Sequence, residues 1–240
     1  MKKIHLLFTI AFIFSLSAQA QIEITRPIEQ LGFNEHTIVT NVQGKKYTYE
    51  DWSKLMATGK YKLNPVKHDS DSTAFILTER DEAAENKVMA KAPKPEETKF
   101  FKNGNSFTFF DMKEVNGTMI RSADLKGKVV VLNFWFIACP PCRYEMPELN
   151  RIAEAYQNRK DVVFIGISLD KTDNIERFLK VSPFKYHIVG DSMPLFAYYG
   201  VDQCPASLVV DKDGIIRFNS QGYGEGAVPY WIRKTIDEIK

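Results

Sequence analysis

The chain has 240 residues, 44% of them hydrophobic and 26% charged, with a net charge of +2 and three cysteines. That composition suits a soluble protein with one good core and a smaller unit beside it. Three cysteines are too few for a disulfide scaffold, and an odd number leaves one over. In chain order, Lys2 and Lys3 precede an apolar run from Ile4 to Leu16, and Ala18-Gln19-Ala20 is a small-x-small site. This pattern predicts a cleaved signal peptide over 1–20, with the mature chain starting at Gln21. The run is short for a membrane span, no later segment is longer, and no cysteine lies near the cut to carry a lipid. Stable membrane insertion after cleavage is therefore not expected. Loss of the two lysines leaves 30 basic and 30 acidic side chains, which gives no electrostatic reason to bind nucleic acid or an anionic membrane.

Residues 21–78 are expected to form a small α+β region of unknown role. Thr37–Val42 and Lys46–Tyr49 flank Gln43-Gly44-Lys45 as a hairpin. Thr48 to Asp51 resembles a capping box ahead of a short helix through Trp52, Leu55 and Met56 that stops at Gly59, and Ala74–Thr78 is a further strand. Residues 79–99 are strongly charged, contain Pro93 and Pro95, and are expected to be a flexible linker.

From about Phe100 strands and helices alternate. Strands are expected at Phe107–Met112, Val129–Phe136 and Val162–Ser168, the second apolar throughout as a strand covered on both faces should be. Helices are expected from Cys139 or Pro140 to about Arg159, with a kink at Pro147, and from Thr172 to Val181. Tyr186–Val189 suits a short strand and Pro194–Tyr199 a short helix. Ala206–Val210 and Ile215–Ser220 flank Asp211-Lys212-Asp213-Gly214 as a hairpin, and Pro229–Lys240 closes the chain as a helix.

Cys139-Pro140-Pro141-Cys142 joins the central strand to the helix after it. A sulfur at a helix N-terminus is stabilised as a thiolate by partial positive charge and unpaired N–H groups, and the second sulfur, a turn on, can close a disulfide. Strand, Cys-x-x-Cys, helix is thus a redox unit, with Cys139 the nucleophile and Cys142, less exposed, the resolving thiol. A structural disulfide is the bland alternative, but so small a loop is a weak staple. Pro140 and Pro141 suit the first helical turn and stiffen the link between the sulfurs. A zinc site needs two more soft ligands, and only Cys204 and His5, His36, His68 and His187, without metal spacing, remain. No metal and no cofactor are expected.

The segments Gly127–Trp135, Cys-Pro-Pro-Cys with Glu145-Met146-Pro147, and Cys204–Asp211 resemble the thioredoxin-like TlpA/ResA-type thiol-disulfide oxidoreductases, exported bacterial proteins. The resemblance covers roughly residues 100–240 and implies an α/β thioredoxin-like fold, a central mixed β-sheet flanked by helices. It implies that Pro205 is a cis-proline facing the Cys139–Cys142 pair and bordering the substrate; the alternative is a trans proline that starts a strand. It places Cys204 beside that bend, as a small apolar filler or as a third redox thiol. It gives Glu145 a proton-moving role as a partly buried carboxylate, against the commoner fate of a surface helix glutamate. Trp135 is expected to pack beneath the site and, with Pro140, Pro141, Cys204 and Pro205, to border the substrate. Asn133 departs from thioredoxin, which carries a buried aspartate there. Asn cannot accept a proton, so the base for Cys142 must lie elsewhere.

These readings converge on an exported, periplasmic thiol-disulfide oxidoreductase. It would reduce disulfide-bearing exported proteins, apocytochrome c among them, and be regenerated by a membrane thiol donor. The alternatives are a thiol oxidase or isomerase, a peroxidase (for which no Thr-x-x-Cys pattern is present), and a copper-binding dithiol protein. A further alternative concerns only the N-terminal region, as a partner-binding or dimerisation module.

Overall fold

A computed structural model describes residues 36–67 and 73–239. The expected signal peptide and the start of the N-terminal region lie outside the described residues.

The N-terminal part builds a four-stranded sheet from β1 (Ile38–Thr40), β2 (Lys46–Tyr47), β3 (Tyr61–Lys67) and β4 (Thr73–Glu79), in the order β2-β1-β4-β3. The expected hairpin is β1–β2: Asn41 accepts the backbone N–H groups of Gln43 and Lys45, and Gly44 takes the positive φ that the turn requires. Helix α1 (Tyr49–Ala57) starts at Thr48, whose hydroxyl accepts the Asp51 N–H, and packs Trp52 and Met56 on the sheet with Val39, Leu63, Phe75 and Leu77. The pattern hid β3 because of its interior Pro65. At a sheet edge, paired only with β4, a missing N–H need not cost a ladder bond.

The stretch expected to be a flexible linker holds helix α2 (Glu82–Met89), capped by Asp81. Its two glutamates reach across the molecule: Glu82 pairs with Arg151 and Arg233, and Glu85 with Lys62 and Arg80. Beyond it, Thr98 is buried and gives its N–H and hydroxyl to Asn219.

The expected strand at Phe107–Met112 shrinks to β5 (Met112–Lys113), which pairs with β6 (Met119–Ile120), plus a single bridge from Ser106 to Ile215. Its aromatic residues pack sideways instead. Phe107 stacks on Tyr199 with ring centroids 4.9 Å apart, and the Tyr199 hydroxyl donates to the Thr108 carbonyl.

Strand β7 (Val129–Trp135) is buried along its whole length. Its side chains alternate between two faces. Val129, Val131 and Trp135 enter one core, with Val130, Leu132 and Phe134 in the other. Helices α3 (Pro140–Ala155), α4 (Thr172–Leu179) and α6 (Ala227–Glu238) supply Leu149, Ile175, Ile232 and Ile236 to the first core. Helix α5 (Met193–Tyr199) and the segment before β7 supply Phe196, Phe101 and Phe107 to the second. Strands β8 (Val162–Ser168) and β9 (His187–Val189) continue the sheet in parallel, while β10 (Ala206–Val210) and β11 (Ile216–Gln221) extend it antiparallel on the other side. The order β11-β10-β7-β8-β9 is a central mixed sheet flanked by helices, the α/β thioredoxin-like arrangement. Helix α3 runs through Pro147 to Ala155. Among the described residues no helix is long and apolar enough to cross a membrane.

Candidate active site

The site grows out of the C-terminal end of β7, the usual place for ligands in such sheets. After Trp135 the chain turns, and the Ile137 N–H donates to the Asp170 carboxylate at 2.6 Å, which also accepts the Ser168 hydroxyl. Cys139 is the N-cap of α3, and its Sγ accepts the Cys142 N–H at 3.2 Å. Pro140 and Pro141 fill the first two helical positions, where an N–H has no intrahelical partner. The two sulfurs are joined in a disulfide, with the Cα atoms 5.3 Å apart. Both cysteines are buried in this oxidised state, Cys139 at 2% and Cys142 at 1% exposure, so the expected contrast between them is small. The open approach is over exposed Ala138 and half-buried Pro140 and Pro141.

The Cys204–Pro205 peptide bond is cis, and the Pro205 carbonyl accepts the Gly222 N–H. Cys204 is half-buried and packs against the core that contains Cys139 and Cys142. Burial, helped by the Glu145 charge, pushes its thiol up to about 12, which keeps it protonated at neutral pH and a poor nucleophile. That environment suits the filler.

Trp135, expected to border the substrate, has no exposed surface. Its ring lies between Phe178 and Phe184, each with centroids 5.7 Å away. It supports the site from below and has no face left to offer a substrate.

Glu145 was expected to be partly buried and is fully buried. The β7 alternation turns Asn133 toward α3, where its Nδ2 donates to Glu145 Oε1 at 2.7 Å and to the Ser207 hydroxyl at 3.0 Å. Asn133, a departure from thioredoxin in sequence, is thus the link that ties sheet to helix. Glu145 Oε2 has no hydrogen-bond partner among the described residues. Burial raises the carboxyl to about 8, against the Asn133 hydrogen bond, and the charge of Glu148 adds to the rise.

Two parts of the surroundings were not legible beforehand. Asp170 gave no signal, because its role depends on β8 lying beside β7. Glu148 carried a weak one, its i, i+3 spacing from Glu145. Its partners Arg80 and Tyr223 come from distant segments. No group of three or more His, Cys, Asp or Glu side chains among the described residues is placed to hold a metal.

Residues 104–219 match the AhpC/TSA family model. Over 107 residues the chain is 36% identical to the thiol-disulfide oxidoreductase ResA of Bacillus thuringiensis (strain Al Hakam), a match that spans 44% of this chain and 61% of that relative. The structure superposes on a candidate thiol:disulfide interchange protein DsbE from Chlorobium tepidum with a TM-score of 0.52 and 25% identity, over 57% of this chain and 97% of that one. It also shares its fold with a candidate protein disulfide isomerase from Bacteroides thetaiotaomicron, at a TM-score of 0.53, 24% identity, 57% of this chain and 89% of the other. With a dithiol on the first turn of α3 and a cis Cys204–Pro205 bond beside the same core, the C-terminal part of the chain has the thioredoxin-like fold and is similar in sequence to the ResA-type thiol-disulfide oxidoreductases, of which it spans less than two thirds.

Proposed function

We propose that the protein is an exported thiol-disulfide oxidoreductase that reduces disulfides of other exported proteins, in the periplasm and after removal of residues 1–20. The observation that carries this reading is the Cys139 sulfur at the N-cap of α3, accepting the Cys142 N–H and joined to Cys142. In the reduced protein the helix N-terminus favours the Cys139 thiolate. The thiolate attacks one sulfur of a substrate disulfide, that S–S bond breaks, and the leaving sulfur takes a proton. Cys142 then gives up its proton and attacks Cys139. The second substrate sulfur leaves as a thiol, and the protein is left with the Cys139–Cys142 disulfide. Two electrons have moved to the substrate, and a membrane thiol donor returns them.

Glu145 is the acceptor for the Cys142 proton. It lies three residues further along α3, and a carboxyl near 8 is well matched to a thiol of about 8.5. Pro140, Pro141 and the backbone at Cys204-Pro205 border the substrate. Apocytochrome c thiols are one substrate class that fits. The peroxidase alternative is disfavoured because no Thr-x-x-Cys pattern places a hydroxyl beside the attacking thiolate.

The test is the reduction potential of the Cys139–Cys142 pair. A value near about −270 mV supports a reductant, and one near about −120 mV makes the protein an oxidase or isomerase. N-terminal sequencing of the exported protein, with Gln21 first, tests the export reading.

A further inference from the structure

Helix α3 carries two acids one turn apart, both drawn into the protein, and they are treated differently. Glu145 has Asn133 on one oxygen and, among the described residues, no hydrogen-bond partner on the other. Glu148 Oε1 receives Arg80 Nη1 at 2.6 Å and the Tyr223 hydroxyl at 2.5 Å. Arg80 belongs to the other unit of the molecule, one residue past β4, with its backbone N–H on the Lys60 carbonyl. Its guanidinium is itself clamped, since Nε and Nη2 both bond Glu85 of α2. The Arg80 and Glu148 side chains are 12% and 9% exposed, so this is a nearly desolvated pair and not a surface contact.

We propose that Arg80 is a positioning residue for the dithiol: it engages the Glu148 carboxylate in an ion pair, so that Glu145 alone of the two acids serves Cys142. The proposal rests on the reading of Glu145 given above. It makes the N-terminal unit part of the redox chemistry, through one ion pair across the interface.

Two carboxyls a turn apart on a helix are coupled, and a coupled pair titrates in two steps that belong to neither residue. A fixed cation on one member separates them. Burial works against the charge on Arg80, but Glu148, with help from Tyr223 and Glu85, holds the guanidinium above its ordinary range. Around Glu145 stand Asn133 on β7, Ser207 on β10, Glu148 on α3, and Tyr186, Cys204 and Tyr223, whose ionisations its charge opposes. None of these is a cation. Burial sets Glu145 and Glu148 is the neighbouring carboxylate that adds to it, and Arg80 is the cation paired with that carboxylate.

The experiment is a pH titration of carboxyl-labelled glutamate by carbon NMR on the full mature chain, for wild type, Arg80→Gln, Glu148→Gln and the double variant. In the wild type Glu145 titrates in one step. Arg80→Gln leaves Glu148 buried with only a tyrosine hydroxyl, and the Glu145 curve splits into two coupled steps about one pH unit or more apart. Glu148→Gln gives one step at lower pH, because the neighbouring negative charge is gone. The double variant behaves as Glu148→Gln does, since Arg80 acts only through Glu148. Arg80→Lys, the milder change if Arg80→Gln folds poorly, keeps the single step. An unchanged Glu145 curve in Arg80→Gln overturns the proposal, as does a double variant that differs from Glu148→Gln. Disulfide reduction against pH is followed in parallel. Carboxyl curves that move as expected while this profile stays fixed would uphold the Arg80 assignment and sink the proton role of Glu145.

Discussion

Strand β7 buries all seven of its residues between two cores, while the four-stranded sheet completes its single core with Tyr144, a side chain of α3. The C-terminal sheet thus carries its own covering on both faces. The N-terminal sheet, with one nine-residue helix on it, leans on the helix that begins with the dithiol. The polar content differs as well. Among the described residues, every buried acid (Glu114, Glu145, Glu148 and Asp211) lies in the C-terminal part. The lesson is that the two units differ in self-sufficiency and in sensitivity to pH, and that α3 is where these differences meet.

The largest expected effect tests the buried acids. Glu145 keeps its proton in the folded chain up to about 8, whereas an unfolded chain releases it near 4.5. Between those values the folded state holds the extra proton, so stability falls as pH rises, by about 1.4 kcal/mol per unit. Below the window the penalty is absent, and above it the penalty is complete. Glu145→Gln removes this slope. Urea midpoints for both proteins between about pH 5 and pH 8 should diverge steadily; parallel lines would break the contrast between the units.

Next comes the shared core. Tyr144→Ala should cost about 3 kcal/mol, a large-to-small change in a core built from both units. Far-UV circular dichroism during unfolding reads the loss. A cost below about 1 kcal/mol would mean that the N-terminal sheet stands without α3.

A smaller effect belongs to the loop before Cys139. Asp170→Ala removes the acceptor of the Ile137 N–H and should cost about 1–2 kcal/mol. It should also slow disulfide reduction, while Phe75→Ala in the N-terminal sheet should lower stability without touching that loop. Equal slowing by both would erase the distinction between the units.

The smallest effect is at the N-terminal surface. Lys54 and Glu50 pair across one helical turn with side chains 68% and 72% exposed, and Lys54→Ala should leave the melting temperature unchanged.

Most strands and helices from Val129 to the C-terminus were legible because they are strongly patterned and bounded by turn residues. The hairpin at Gly44 and the cap at Thr48 were legible because their signals act within a few residues. The strand expected at Phe107 was misleading, since aromatic residues suit a strand and a side-packed loop equally well. The expected linker was misleading because charge along a segment does not say whether its partner is water or another side chain, and Glu82 and Glu85 found arginines and a lysine.

By itself the sequence determined the dithiol, its place at a helix start and the layered α/β core, all fixed by residues adjacent in the chain or repeating with a simple period. Only the tertiary structure decided that Asn133 reaches Glu145, that Trp135 has no free face, and that Arg80 of one unit pairs with Glu148 of the other. Each of these joins residues 12 or more positions apart or depends on what covers a side chain, and a charge or an amide has no period that records which partner it will meet.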